Sequence, residues 1–388
     1  MSFIIMAAIF TLNPIISIFL NFVAFTKTST NYWKQYFMFF IAIYLGLINT
    51  TIDIYSVSDL KSYYDLYRSS TNFSMMIKSA PYEILYTIFT YLMYYLTDGN
   101  FRVFILIFTI IVYQLVFVSL DKVFNNISDN KMLSIYAVLI FAFYHPHFLQ
   151  SLNLMRQILA GSIFFYFFIE RFKNNRTLWY LPIIAILTHR SSALLFLIAF
   201  IPLIGKNLIF KSVIVISLSS IILFFSFPFI NSLLLLILSP FPSMHILLDG
   251  LQDLESTNYL WYDGSQAKGI RQVYFGIFIL FILMFNKIKS LNLNYIFNFV
   301  LIYIFVLEFF YNSGLILLHL RMAIYLNYFI PIGLVMMIAY VKNDILSKLL
   351  GLSLVVVIFY RFFNALDKYA ISYDGTLELL FYPLINYL

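Results

Sequence analysis

The chain is 388 residues long, 62% hydrophobic and only 11% charged, with a mean hydropathy of +0.91, whereas a soluble domain carries about 25% charged residues. That balance excludes an ordinary soluble enzyme and points to an all-α, polytopic integral membrane protein. Zero cysteines exclude disulfides, thiolate metal sites and a cysteine nucleophile.

A membrane span needs about 20 mostly apolar residues, and on that rule the chain reads as about 12–13 transmembrane or re-entrant helices. Met1 to Ala24 has no basic residue ahead of its apolar run and no small-residue cleavage site, so a first span near 3–24 is expected to stay in the mature protein. Further segments follow near 35–52, 82–97, 101–120, 132–148, 155–170, 178–189, 192–204, 211–236, 273–286, 294–316, 322–341 and 346–363. The pieces 178–189 and 192–204, parted by His189-Arg190-Ser191, read as a broken or re-entrant pair. Irregular backbone at membrane depth is tolerated only beside protein or a wet cavity. No linker or repeat divides the chain, so residues 1–388 are expected to form one membrane domain.

Short basic turns orient the spans, because lysine and arginine stay on the cytoplasmic side. Arg171, Lys173 and Arg176 mark one such turn, and Lys206 with Lys211, Lys287 with Lys289, and Lys342 with Lys348 mark others. The stretch 239–272 carries Asp249, Asp253, Glu255 and Asp263 against Lys268 and Arg271, and is expected to be a larger extracytoplasmic loop. On this assignment Arg156, His189-Arg190, Arg271 and His319 with Arg321 fall at extracytoplasmic helix ends and can converge on one outward cavity. The side on which 53–80 lies depends on whether 82–97 spans or re-enters.

An arginine facing lipid at the centre of a helix costs roughly 2.5–3.5 kcal/mol, so Arg156, Arg190 and Arg321 would together cost about 8–10 kcal/mol. They are therefore expected to face water, one another or an anion. The planar guanidinium fork suits phosphate oxygens, and several around one cavity suit a pyrophosphate. A single helix-end arginine equally suits lipid headgroups or a carboxylate partner.

His189 lies inside an apolar run beside a cation, where it could act as a base, a donor to an anion, or a hydrogen-bonded structural residue. Glu83 opens a hydrophobic segment and Glu308 lies within another; either could be a general base or the partner of an arginine. Glu83 also fits a helix N-terminus, where the dipole stabilises a carboxylate. The polar stretch with Asp53, Asp59, Tyr63, Tyr64, Asp65 and Tyr67 suits sugar hydroxyls and ring faces, or an interfacial loop. His145, His147 and His245 read as structural. No paired-histidine, Walker, Rossmann or nucleophile-elbow pattern occurs, so neither a metal, a nucleotide cofactor nor a nucleic-acid partner is expected.

The order of these features resembles the EpsG family of Wzy-type polysaccharide polymerases. The resemblance rests on the Asp/Tyr-rich stretch Asp53 to Tyr67, on Tyr82-Glu83-Ile84-Leu85-Tyr86, on Arg156-Gln157-Ile158-Leu159-Ala160, on Thr188-His189-Arg190-Ser191-Ser192, and on the tail Tyr382-Pro383-Leu384-Ile385. Where the family often has Glu-Pro and His-Lys, this chain has Glu83-Ile84 and His189-Arg190. The resemblance implies a GT-C-like membrane glycosyltransferase in the bacterial inner membrane. Such an enzyme joins undecaprenyl-pyrophosphate-linked oligosaccharide units into O-antigen or exopolysaccharide at the periplasmic face, without a metal. Its partners would be those lipid-linked substrates, membrane lipid and a chain-length regulator. Arg156, Arg190, Arg271 and Arg321, with Gln157 and Asp65, would bind substrate and pyrophosphate, and His189 or Glu83 would take the hydroxyl proton. An O-antigen ligase uses the same donor, and a flippase of lipid-linked sugar would use the same cations without chemistry.

Overall fold

The computed structural model describes residues 3–28, 31–55, 58–71, 73–74, 77, 83–124, 132–201, 204, 264–284, 292–312, 316–341 and 343–368. The expected span 211–236, the loop as far as residue 263, His245, the basic turns at Lys206, Lys211, Lys287, Lys289 and Lys342, and the tail from Tyr382 lie outside these residues. Among the described residues there are sixteen α-helices and no strand. In order they are α1 (Phe3–Leu12), α2 (Pro14–Thr28), α3 (Asn31–Thr50), α4 (Ser58–Arg68), α5 (Ile84–Leu96), α6 (Phe101–Phe124), α7 (Met132–Ala142) and α8 (His145–Asn153). Then come α9 (Met155–Lys173), α10 (Tyr180–Thr188), α11 (Ser192–Ala199), α12 (Gly264–Leu283), α13 (Asn294–Asn312), α14 (Ile316–Ala323), α15 (Ile330–Tyr340) and α16 (Asp344–Lys368). Two compact units result, one of Met1–Phe196 with Leu334–Leu388 and one of Leu197–Gly333.

The protein is a polytopic membrane protein built entirely of helices in its described parts. Among the described residues α6, most of α13 and most of α16 are long and apolar enough to cross a membrane alone. Two bent pairs raise that number to five: α7 with α8, bent by 53°, and the 318–328 and 330–340 segments, bent by 40°.

Prolines explain the places where expected single spans are broken. The first span, read as 3–24, is two helices because Pro14 has no N–H to donate and its ring excludes the preceding turn. Asn13 occupies the break and its Oδ1 accepts the Ile16 N–H at 3.0 Å. Pro146 stands in the first turn of α8, so His145 and His147 open a new helix rather than close the previous one. Pro331 likewise sits at the start of α15, after a 3-10 turn over Ile324–Tyr328.

In the first unit α3 and α6 pack closely at Gly46, where a Cβ would stand 2.7 Å from the Leu106 side chain and 3.1 Å from its carbonyl oxygen. One turn on, the buried Asn49 amide donates to Thr109 at 3.0 Å and to Ser151 at 3.4 Å, joining α3, α6 and α8. Such polar bonds between helices matter where surrounding contacts are uniformly apolar. At the far end of α6, Lys34 meets Asp121 at 2.6 Å, Ser134 donates to Asp121 at 2.6 Å, and Lys122 pairs with Glu170. Along α16 the side chains Ile345, Leu346, Leu349, Leu352, Val356 and Val357 are exposed, as lipid contact requires. The same helix packs on α7 through Gly351, whose hydrogens face the Tyr136 ring.

The polar stretch after α3, expected as a loop, contains the helix α4. Leu60, Tyr63 and Tyr67 form its buried stripe, while Asp59, Lys61, Asp65 and Arg68 are exposed. The turn between α5 and α6 uses left-handed backbone at Asp98 (φ 50°) and Gly99 (φ 71°), then Asn100 accepts the N–H groups of Arg102 and Val103. The expected pair flanking His189-Arg190-Ser191 is found as α10 and α11.

In the second unit α12, α13 and α14 pack on one another. Helix α12 begins at Gly264, so 264–272, expected as the end of a loop, is helical and places Arg271 inside a helix. Gly333 lets the first turn of α15 approach α12, where a Cβ would stand 2.8 Å from Phe281. The buried Tyr303 hydroxyl donates to the Met322 carbonyl at 2.8 Å.

Candidate functional site

Glu83, Arg156 and His189, separated by 73 and 106 residues in sequence, meet in the first unit. Arg156 Nη1 donates to Glu83 Oε2, and His189 Nδ1 bonds Glu83 Oε1. Each carboxylate oxygen is thereby engaged by a different partner.

The backbone makes this meeting possible at three helix ends. Glu83 is the residue preceding α5, yet its carboxylate makes no capping bond to that helix. The side chain is spent on Arg156 and His189 instead, so dipole stabilisation is not what fixes its position. Arg156 sits in the first turn of α9, where the positive helix end disfavours a cation by roughly 0.3–1 kcal/mol. The Glu83 carboxylate offsets that cost. His189 ends α10 in extended conformation (φ −155°, ψ 117°), which turns its ring out of the helix.

Aromatic side chains support the ion pair. The Arg156 guanidinium carbon lies 5.3 Å from the Tyr63 ring centroid, and Tyr63 packs edge-on against Tyr86 at 5.8 Å. Burial pushes the Tyr63 phenol above its ordinary range, while the neighbouring guanidinium pulls it back. Tyr86 in turn reaches the Met155 sulfur at 3.7 Å, one residue before Arg156. Side-chain exposure falls from 36% for Arg156 to 18% for His189 and 10% for Glu83, so an incoming group meets the arginine and the histidine before the carboxylate.

The other expected site residues are distributed as follows. Gln157 is buried beside Arg156 on α9, and Arg190 is exposed in the turn after His189. Asp65 stands on the exposed face of α4, away from the stripe that carries Tyr63 to Arg156. Arg321 is exposed on α14 of the second unit. Arg271 belongs to a separate cluster in that unit, where Glu308 takes its Nε at 2.9 Å and its Nη2 at 2.8 Å.

Tyr274 donates to Glu308 as well, and Tyr311 lies 4.6 Å from the Arg271 guanidinium carbon. Neither tyrosine was singled out from sequence, although Arg271 with Tyr274 and Glu308 with Tyr311 have the i, i+3 spacing that makes helix neighbours. Among the described residues, no three histidine or carboxylate side chains gather closely enough to cage a metal ion.

The sequence model of the EpsG family matches residues 53–381. No curated protein and no solved structure matches the chain.

Proposed function

The chain belongs to the EpsG family, and on that premise we propose that it polymerises lipid-linked oligosaccharide repeat units into a bacterial polysaccharide. The donor would be a growing glycan on undecaprenyl pyrophosphate, the acceptor the next lipid-linked unit, and the place the periplasmic face of the inner membrane. The observation that supports this reading most directly is the Glu83 carboxylate, held between Arg156 and His189.

In this reaction an acceptor hydroxyl attacks the anomeric carbon of the donor glycan, the carbon–oxygen bond to pyrophosphate breaks, and the hydroxyl proton must leave. Preorganised cations aimed at the departing pyrophosphate are the largest available electrostatic contribution. Arg156, the most exposed member of the triad, and Arg190 in the adjoining turn would supply them. The proton would go to His189. With Nδ1 engaged by Glu83, Nε2 is the ring atom left to accept the proton, and the carboxylate would stabilise the imidazolium that forms. Glu83, with both oxygens already engaged, then serves as a positioning residue.

The test is direct. Purified protein incubated with one defined lipid-linked repeat unit should yield a ladder of chain lengths on a gel, and a reaction that stops at the input unit overturns the assignment. Cells lacking a polymerase retain single repeat units on their acceptor; cells lacking a ligase transfer none.

A further inference from the structure

Tyr63 belongs to the stretch expected to offer rings to sugars, yet it is only 7% exposed, on the inner stripe of α4. A stripe running from Leu60 to Tyr67 could be filled at that position by leucine. The ring stands over a cation instead, 5.3 Å from the guanidinium carbon of Arg156. A guanidinium at that distance is attracted to the electron-rich face of the ring, and more strongly where water is excluded.

The ring is itself fixed by its neighbours. Tyr86, fully buried in the first turn of α5, packs edge-on against it at 5.8 Å and reaches the Met155 sulfur with its hydroxyl at 3.7 Å. Tyr86 lies three residues after Glu83, so one helix start supplies both the carboxylate that bonds Arg156 and the ring that backs Tyr63. Farther along α4, the Tyr67 ring stacks on Phe104 at 5.1 Å, and its hydroxyl donates to Thr97, whose own proton goes to the Met93 carbonyl at 2.7 Å. Tyr67 thereby fastens α4 to the end of α5 and the start of α6.

Arg156 needs such a support. Its Nη1 is fixed on Glu83, while Nε is buried and meets no acceptor among the described residues. A planar fork gripped at one corner can still tilt about it, and a ring lying over the plane removes that freedom. We propose that Tyr63 is a positioning residue: its ring, backed by Tyr86, holds the plane of the Arg156 guanidinium so that the edge not bonded to Glu83 stays aimed at an incoming anion. The inference rests on the polymerase reading only for the identity of that anion, the departing pyrophosphate.

Two readings on the purified full-length protein in detergent test it. One is the rate at which phenylglyoxal, a reagent for accessible guanidinium groups, modifies Arg156, followed by peptide mass spectrometry. The other is kcat and KM for ladder formation from one defined lipid-linked repeat unit. Tyr63→Leu should react about three- to tenfold faster at Arg156 and lose kcat by about the same factor with KM little changed, because the cation acts on charge that develops as pyrophosphate departs. Tyr63→Phe keeps the ring and should match wild type in both readings. Tyr63→Met serves in place of the leucine variant should that one fail to fold. Wild-type modification of Arg156 in the leucine or methionine variant is the behaviour of a residue that merely fills space, and it overturns the proposal. So does a phenylalanine variant as impaired as the leucine one, or a loss confined to KM. Faster modification in Tyr63→Leu, in a protein whose wild type builds no ladder, would sink the polymerase reading alone. A ladder-forming protein whose Arg156 reacts alike in wild type and Tyr63→Leu would sink this one alone.

Discussion

At the scale of single residues, the triad makes two substitutions informative. Arg156→Ala removes the most exposed donor and leaves Glu83 with His189 alone, so polymer should vanish from cells that still insert the protein. Arg156→Lys should also perform poorly, because a point charge cannot bond the carboxylate and present a planar fork to pyrophosphate together. A full-length polysaccharide ladder from Arg156→Ala cells would refute this role. His189→Ala should slow polymerisation by about two to four orders of magnitude at unchanged protein level, the range usual for a positioned acid–base group. The discriminating variant is His189→Gln, which keeps a hydrogen bond to Glu83 but cannot titrate near neutrality. Near wild-type turnover by that variant from about pH 6 to 8 would remove His189 from the base role. The arginines, His189 and Glu83 were legible in the sequence because a charge inside an apolar run is costly and demands a reason. Which carboxylate answers which arginine was not legible, since Glu83 and Arg156 are joined only by the fold.

At the scale of helices, apolar runs located most segments, but their length hid the breaks. A window of about 20 apolar residues reads the same whether or not a proline splits it, so α1 with α2, and α7 with α8, were each expected as one element. Helix α4 was missed for the opposite reason, since its polarity suggested a loop and only the Leu60, Tyr63, Tyr67 spacing betrays a buried stripe. Helix packing offers two tests. The Lys34–Asp121 pair, with side chains 5% and 17% exposed, ties α3 to α6, and Ser134 of α7 bonds the same carboxylate. Removing one partner of a buried pair costs about 3–5 kcal/mol, so Asp121→Ala should melt markedly earlier than wild type in detergent. The double change Lys34→Met with Asp121→Leu should recover much of that loss. If the double variant is as unstable as the single one, the ion pair is not the cause. Gly351→Leu would drive a side chain into the Tyr136 ring, which a Cβ alone already approaches to 2.6 Å, and should lower the melting temperature of the protein through overpacking of about 1–3 kcal/mol.

At the scale of the whole molecule, one helix fixes the relation between charge and site. Arg156 lies in the first turn of α9, and Glu170, Arg171 and Lys173 lie in its last turns. Fourteen residues from Arg156 to Glu170 at about 1.5 Å each put roughly 20 Å between them, most of the thickness of a bilayer core. Lys122 and Lys34 gather at that same far end, through the Lys122–Glu170 and Lys34–Asp121 pairs, and Arg176 follows in the turn beyond α9. Basic residues concentrate on the cytoplasmic side, so this end should be cytoplasmic and the Glu83–Arg156–His189 end periplasmic. The chain has no native cysteine, which allows single cysteines to be introduced cleanly. Asn174, whose amide donates to Glu170 at 3.1 Å in the basic turn, should resist an impermeant maleimide in intact spheroplasts and react once the membrane is opened. Ser256, in the acidic stretch expected outside, should react in both. Arg190→Cys, next to the triad, should behave as Ser256→Cys does. Labelling of Asn174→Cys without permeabilisation, with protection of the other two, would place the triad on the cytoplasmic face, where a periplasmic polymerisation could not use it.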